Sequence, residues 1–559
     1  MHSIVWGLLL AALPLSAAGQ RPSPHRFRVL IHEIFADPSP SAGLPEFEFI
    51  ELRNVSGVPI NLKGWLLKDS SQTMKLPEYW LQADSLVVIS ARPVFSPGIA
   101  GSGFPSLGND GETIALYDPG GALVHAVAYH KSWYGAALKS AGGWSLEMKD
   151  PRWPCTGAEN WTASTAPAGG TPGTANSVAG NIEPPPLPDI LRISVPDSAQ
   201  VVLHFSAGTD SASAASPSAY SLPGIASVTV PPPLFNTTVL YLSQPLEKGR
   251  LYSLQATGLR DCAGRDAGPG LPVAFALPLR ADSGDIVLNE VLFDPPPDTP
   301  DFLEIHNPGN TARELYPLHL ATRGADGQLK QAVPLTAGPR MLLPGGYLAF
   351  TEDAAALCRA YACKGEVLQL PALPPMPDDE GRLVLLYPDG TVVDAFDYRR
   401  SFHLNTLSSA RGVSLERLNP YGPSQHAQNW HSAAATAGYA TPGYANSQLQ
   451  DGGTAAGVFA VQPARFSPDN DGHEDVAAIS WQLPGPGFTG SITVFDALGR
   501  EVRLLAGNLL LGSSGKVFWD GLNALKMPAP AGIYIIFIRI FNGAGVVKTW
   551  KSALVLIRT

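Results

Sequence analysis

Glu33 and Glu51 stand in "VLIHEIFADP" and "FEFIELRN", and Glu290 and Glu304 stand in the matching stretches "IVLNEVLFDP" and "DFLEIHNP". Paired acids are the working parts of general acid–base catalysis or of a hard-cation site. No His, Lys or nucleophile recurs at matching positions in both pairs of stretches. Hydrogen bonding to backbone amides where strands turn is therefore the favoured role. A second acidic set, Asp469, Asp471 and Asp475 around Gly472 in "SPDNDGHED", resembles part of a calcium loop. With Gly472 in the glycine position, the bidentate acid expected further on is Ala478, so the register fails. An Asx-rich turn is the stronger reading, and calcium is the one cofactor left open.

Four cysteines suit an oxidising compartment used sparingly. Cys358 and Cys363 in "CRAYAC" are close enough to close a small loop, provided the chain bends between them. A metal reading of the pair lacks zinc-spaced Cys or His neighbours. Cys155 and Cys262 remain, each at the end of a unit, and the even count in an exported chain predicts that they pair. The stretch "YHKSWYGAALKSAGGWSLEM" gathers Tyr129, Trp133, Tyr134 and Trp144. Exposed, such a cluster would bind a glycan or a protein; folded over, it would seal a core edge, and the second is the expectation.

What must position these residues is written twice. "ENWTASTAPAGGTPGTANS" ends at Ser177, and "QNWHSAAATAGYATPGYANS" ends at Ser447. The offset that carries Trp161 onto Trp430 also carries "WSLEMKDP" onto "VSLERLNP" and Tyr129 onto Tyr398. Such a period is far longer than a solenoid repeat, so it marks a duplicated domain. "TIALYDPGGALVHAVAY" and "LVLLYPDGTVVDAFDY" each read as two apolar runs around a turn, the signature of a hairpin. "FEFIELRN" is a strand with apolar residues on both faces. Trp161 and Trp430 are expected to cover a core edge, with the following Thr-Pro-Gly ending the domain in a rigid turn. Short strands with turns between them predict an all-β chain of tandem immunoglobulin-like β-sandwich domains.

Composition agrees. Of 559 residues, 45% are apolar and 15% charged, with 53 Pro and 56 Gly, as in strand-and-turn proteins rather than disordered ones. The net charge of −10 without a long basic run argues against a binder of the phosphate backbone, so no nucleic acid partner is expected. "IVWGLLLAALPL" followed by "SAAGQ" reads as an export signal over residues 1–19. No other stretch reaches the roughly 20 apolar residues of a membrane span, so no transmembrane segment is expected in the mature chain. No G-x-S-x-G or H-E-x-x-H motif is present, which argues against a secreted hydrolase.

The order "HEIFADP", "FIELRN", "LKGWLLKD", "NDGETIALYDPGG", "WSLE", "NW" and "TPGTAN" resembles the lamin-tail domain of exported bacterial proteins. The resemblance covers residues 28–178 and, with "ELYPLHLAT" replacing the Gly-Trp strand, residues 283–448. It implies an immunoglobulin-like fold with binding or structural roles and no catalytic residues. Residues 183–280, following the proline-rich "NIEPPPLPDI", resemble a bacterial immunoglobulin-like spacer through "LRDCAGRDAG". Residues 456–559, with "SPDNDGHED", "GSITVFDALGREVRLL" and "KVFWDGLNA", resemble the flagellar-hook-cap type of domain. They are also similar to the C-terminal domains of gliding-motility-associated proteins of the type IX system of Bacteroidota. The resemblance implies export machinery as a partner, an outer-membrane-associated or secreted location, and a non-catalytic surface protein. A glycan- or protein-specific adhesin and an accessory of a secreted nuclease or phosphatase are the alternatives.

Overall fold

A computed structural model describes residues 23–324, 326–405, 407–450 and 457–558, so the expected export signal at 1–19 lies outside the described residues. The fold is all-β, with only two short α-helices, Ser211–Ala214 and Ala354–Ala360, among the described residues. The chain divides into two compact units, Met1–Leu246 with Leu251–Phe275, and Glu247–Arg250 with Ala276–Thr559.

The first unit opens with a six-stranded sheet in the spatial order Trp161–Ala163, Leu146–Met148, Val29–Phe35, Phe49–Asn54, Leu86–Ser90, Gly98–Ala100. Facing it is a four-stranded sheet ordered Leu123–His130, Gly111–Tyr117, Leu66–Lys68, Thr73–Lys75. Ile31, Ile50, Leu52, Trp65, Ile114, Leu116 and Trp161 fill the space between the two sheets. Apolar side chains that alternate along strands and meet across two sheets are what hold a β-sandwich together. A second four-stranded sheet, Ile190–Asp197, Gln200–Phe205, Thr237–Leu242, Ile225–Thr229, follows in the same unit. Its Phe235 packs on Leu123 and Ala115 of the sandwich.

The second unit repeats the design. Its six-stranded sheet runs Trp430–Ser432, Leu415–Arg417, Val287–Leu292, Phe302–His306, Tyr347–Thr351, Val367–Gln369. The facing sheet runs Val392–Arg399, Glu380–Leu386, His319–Arg323, Leu329–Pro334. Strand order and sequence order match the first sandwich throughout both sheets. Leu318 is buried where the first copy has Trp65, and each donates its amide to a leucine carbonyl three residues back. After it, a three-stranded sheet (Val458–Gln462, Ala477–Gln482, Ser514–Trp519) accompanies a five-stranded one. The five-stranded sheet is ordered Arg465–Phe466, Val547–Leu556, Gly532–Phe541, Thr489–Asp496, Glu501–Leu510. Phe466, Ile479, Trp481, Trp519 and Ile536 form the core between them.

Burial along the first sheet is not alternating. Every residue of Val29–Phe35 is buried, as are Phe49 to Leu52. A sheet of this kind is covered on both faces. One face meets the sandwich core. The other carries Phe35, Phe49 and Val88 with Glu33 and Glu51, so something must cover it.

Candidate functional site: two buried carboxylate rows

Three glutamates lie side by side on that second face in each copy. Glu33 is the Cα partner of both Glu51 and Glu147, on the strands to either side. Glu290 is likewise the partner of Glu304 and Glu416. All six are fully buried. Sequence reasoning found the first two of each row and missed Glu147 and Glu416. Their signal was the "SLE" shared by "WSLEMKDP" and "VSLERLNP".

The cover is the segment that ends each repeat. Thr171 donates its amide to Glu33 Oε1 at 2.8 Å, and Gly173 donates to Glu51 Oε2. Ser177 Oγ and the Val178 amide both donate to Glu147 Oε2, at 2.8 and 3.1 Å. In the second copy Thr441 donates to Glu290 (2.9 Å), Gly443 to Glu304 (2.6 Å), and Ser447 Oγ and the Gln448 amide to Glu416 (2.8 and 2.9 Å). The asparagines of "TANS" and "YANS" complete the strap. Asn176 Nδ2 donates to the carbonyls of His32 and Met148, and Asn446 Nδ2 to those of Asn289 and Arg417. Gly173 and Gly443 both sit at positive φ, 79° and 85°, where a side chain would be strained. The acids thus do bond backbone amides, but in mid-strand and against a returning strap rather than at strand turns. The Thr-Pro-Gly is a turn as expected, closed by the Thr174 amide on the Thr171 carbonyl at 3.0 Å and by the Tyr444 amide on the Thr441 carbonyl at 3.3 Å, but it lies within that strap.

The Asn-Trp that precedes each strap has a divided task. Asn160 holds the preceding turn, accepting from Asp150 N and donating to the carbonyls of Asp150 and Trp153. Asn429 does the same with Asn419 and Pro423. Trp161 and Trp430 are buried in their sandwich cores rather than laid over an edge.

Burial dominates the electrostatics of both rows. It pushes Glu33 and Glu51 up to about 8, with neighbouring carboxylates adding to the rise. Glu290 is likewise raised to about 8 by burial and then by Glu416, while Glu304 and Glu416 are raised too. The rows differ at one place. Asn289 Nδ2 bridges Glu304 Oε1 (2.8 Å) and Asn446 Oδ1 (2.6 Å). His32 replaces it in the first copy, 3.5 Å from Glu51 Oε1, and burial lowers this imidazole to about 3. Arg53 approaches its far nitrogen at 3.4 Å.

Both expected disulfides are present, Cys358–Cys363 with Cα atoms 5.3 Å apart and Cys155–Cys262 at 6.4 Å. The helix Ala354–Ala360 stops before Cys363, which supplies the bend the short loop needs. Asp469, Asp471 and Asp475 do converge, with one oxygen of each within 4.8 Å of the others. Each already accepts from its own turn: Ser467 Oγ on Asp469, His473 N on Asp471, Asn470 N and Gly472 N on Asp475. Three such ligands are fewer than the six to eight oxygens calcium takes. The aromatic loop is no exposed cluster. Tyr129 and Tyr134 are buried, and Trp133 and Trp144 pack against the same core, because their rings cover apolar surface at the sandwich edge.

Residues 22–131 match the family described as Lamin Tail Domain. No curated protein matches the chain. Among solved structures, the chain is similar to the N-terminal part of the bacterial S-layer protein SbsC, at 16% identity over 38% of this chain and 43% of that one, TM-score 0.16. It is also similar to dimeric latent PorU from Porphyromonas gingivalis (10% identity, 72% and 35% covered, TM-score 0.15). A third is a tetra-tandem repeat from the extending region of a large adhesion protein (10% identity, 95% and 99% covered, TM-score 0.12). The chain spans 43–54% of the length of the S-layer structures it matches.

Proposed function

We propose that this is a non-catalytic exported surface protein, built from serial β-sandwich modules and displayed through its C-terminal sandwich. The carboxylate rows carry the reading. The acids that recur in both copies are buried and used as acceptors for the straps, so they hold the modules together and do not face a substrate. The second repeat is a divergent lamin-tail-type sandwich, supported by its identical strand order and its equivalent strap bonds. Two disulfides in the chain fit an oxidising compartment. Export machinery is the proposed partner of residues 456–559. The adhesin alternative depended on exposed aromatics that lie against the core instead.

Fractionation of cells expressing the full chain and a chain ending at residue 450 tests this. The full chain is expected at the surface, and the truncated one in the periplasm with both disulfides formed. Surface display of the truncated chain would contradict the sorting role. Metal-dependent cleavage of DNA, phosphoesters or glycans by the purified full chain would contradict the non-catalytic one.

A further inference from the structure

Each strap sets one threonine hydroxyl between two carboxyl groups. Thr441 Oγ1 is 2.8 Å from Glu290 Oε2 and 3.0 Å from Glu416 Oε1. A hydroxyl has a single hydrogen, so it can donate to only one of them. Were both carboxylates bare, the other contact would set lone pair against lone pair in a buried site. One of the two oxygens must bring a hydrogen of its own.

The remaining partners say which. Glu416 Oε1 also accepts the Ser447 amide at 3.0 Å, and Oε2 accepts the Gln448 amide at 2.9 Å. Ser447 Oγ accepts from the Ala434 amide, so its hydrogen points to Glu416 as well. Glu416 is met by donors on both oxygens, the setting of an ionised carboxylate. Glu290 Oε1 accepts from the Thr441 amide and from Ser414 Oγ, while its Oε2 meets only Thr441 Oγ1. The first copy repeats the arrangement more loosely, with Thr171 Oγ1 at 3.0 Å from Glu147 Oε1 and 3.4 Å from Glu33 Oε2.

We propose that a proton held on Glu290 Oε2, and its counterpart on Glu33 Oε2, is a structural part of each copy, and that losing it loosens the strap. The proton is donated to the threonine hydroxyl, whose own hydrogen goes to Glu416 or Glu147. Removing it leaves two carboxylates competing for one hydroxyl.

The other groups facing the second site are Glu304 from the neighbouring strand, Tyr361 beyond the helix, and Tyr444 of the strap, whose ring lies under Lys364 Nζ at 4.4 Å. Arg417, next to Glu416 in sequence, pairs with Asp394 at 3.2 Å. Around the first site stand Glu51 and His32, with Arg53 behind the imidazole. Burial raises Glu33 and Glu290 from the ordinary carboxyl value of 4.5 to about 8. The folded state therefore holds more protons than the unfolded state between those values. The stabilisation is complete below 4.5 and is lost as pH rises through about 8.

Infrared spectroscopy and thermal melting of the full chain test the proposal, using wild type and the double variant Glu33→Gln/Glu290→Gln. Glutamine keeps the shape and donates an N–H where the acid donates its O–H. Wild type should show protonated carboxyl carbonyl absorption at pH 7 that fades through about 8, with a melting temperature falling by about 5 °C or more from pH 5 to pH 9. The double variant should lose part of that absorption and flatten the melting profile. An unchanged carbonyl band in the double variant, or an unchanged pH profile, overturns the proposal. Should that variant fail to fold, Thr441→Val decides. It keeps the carboxyls but removes the acceptor, so it must shift the carbonyl band, and an unshifted band overturns the proposal.

Discussion

Glu416→Gln is expected to destabilise the second unit by about 3 kcal/mol, far more than Glu290→Gln, which should cost about 1 kcal/mol or less. The two changes are the same in size and chemistry, and both positions are fully buried. What differs is the set of neighbours. Glu416 accepts from the amides of Ser447 and Gln448 and from the hydroxyls of Ser447 and Thr441. An amide nitrogen placed at either oxygen would turn a donor toward a donor, leaving buried N–H or O–H groups unpaired. At Glu290 the same nitrogen finds Thr441 Oγ1 as an acceptor. Urea unfolding of the two variants measures the difference, and equal losses would contradict the assignment of roles within the row.

Removing the Cys155–Cys262 bridge by alanine substitution at both positions is expected to cost about 4–5 kcal/mol in the first unit. The bond spans 107 residues, and its stabilisation in the chain-entropy model grows with the loop it closes in the unfolded chain. Cys358–Cys363 spans only 5 residues, for which the same relation gives about 2 kcal/mol. Phe235 against Leu123, and Arg265 donating to the Pro185 carbonyl at 3.0 Å, still tie the later sheet to its surroundings. Calorimetry should therefore show a lowered transition for the first unit and an unchanged one for the second. A loss confined to the second unit, or none, would contradict this.

The fold was legible in the sequence because its signals are local. Asp-Pro-Gly-Gly and Pro-Asp-Gly sit between apolar runs and become the Gly111–Tyr117/Leu123–His130 and Glu380–Leu386/Val392–Arg399 hairpins. The duplication was legible because the same words recur at one spacing. The carboxylate row was only half legible. Glu33 and Glu51 stand out in their motifs, but that they sit mid-sheet with Glu147 as a third member depends on which strands become neighbours. The strap was not legible as a strap. Thr-Pro-Gly has the local chemistry of a turn, and only the apolar second face of the sheet, with Phe35, Phe49 and Val88, explains why the chain doubles back there. The aromatic loop shows the converse. Its composition fits a binding surface equally well, and packing against the sandwich edge decides the matter.

Native-state hydrogen exchange tests the central claim most directly, that each Thr-Pro-Gly segment is a closed strap over a buried carboxylate row. The amides of Thr171, Gly173, Thr441, Gly443 and Gln448 each donate to a glutamate of the row. At pH 6 they should exchange as slowly as amides of the Val29–Phe35 and Val287–Leu292 strands, since only opening of the module releases them. Exchange at the rate of an exposed linker, with those strands still protected, would contradict the account.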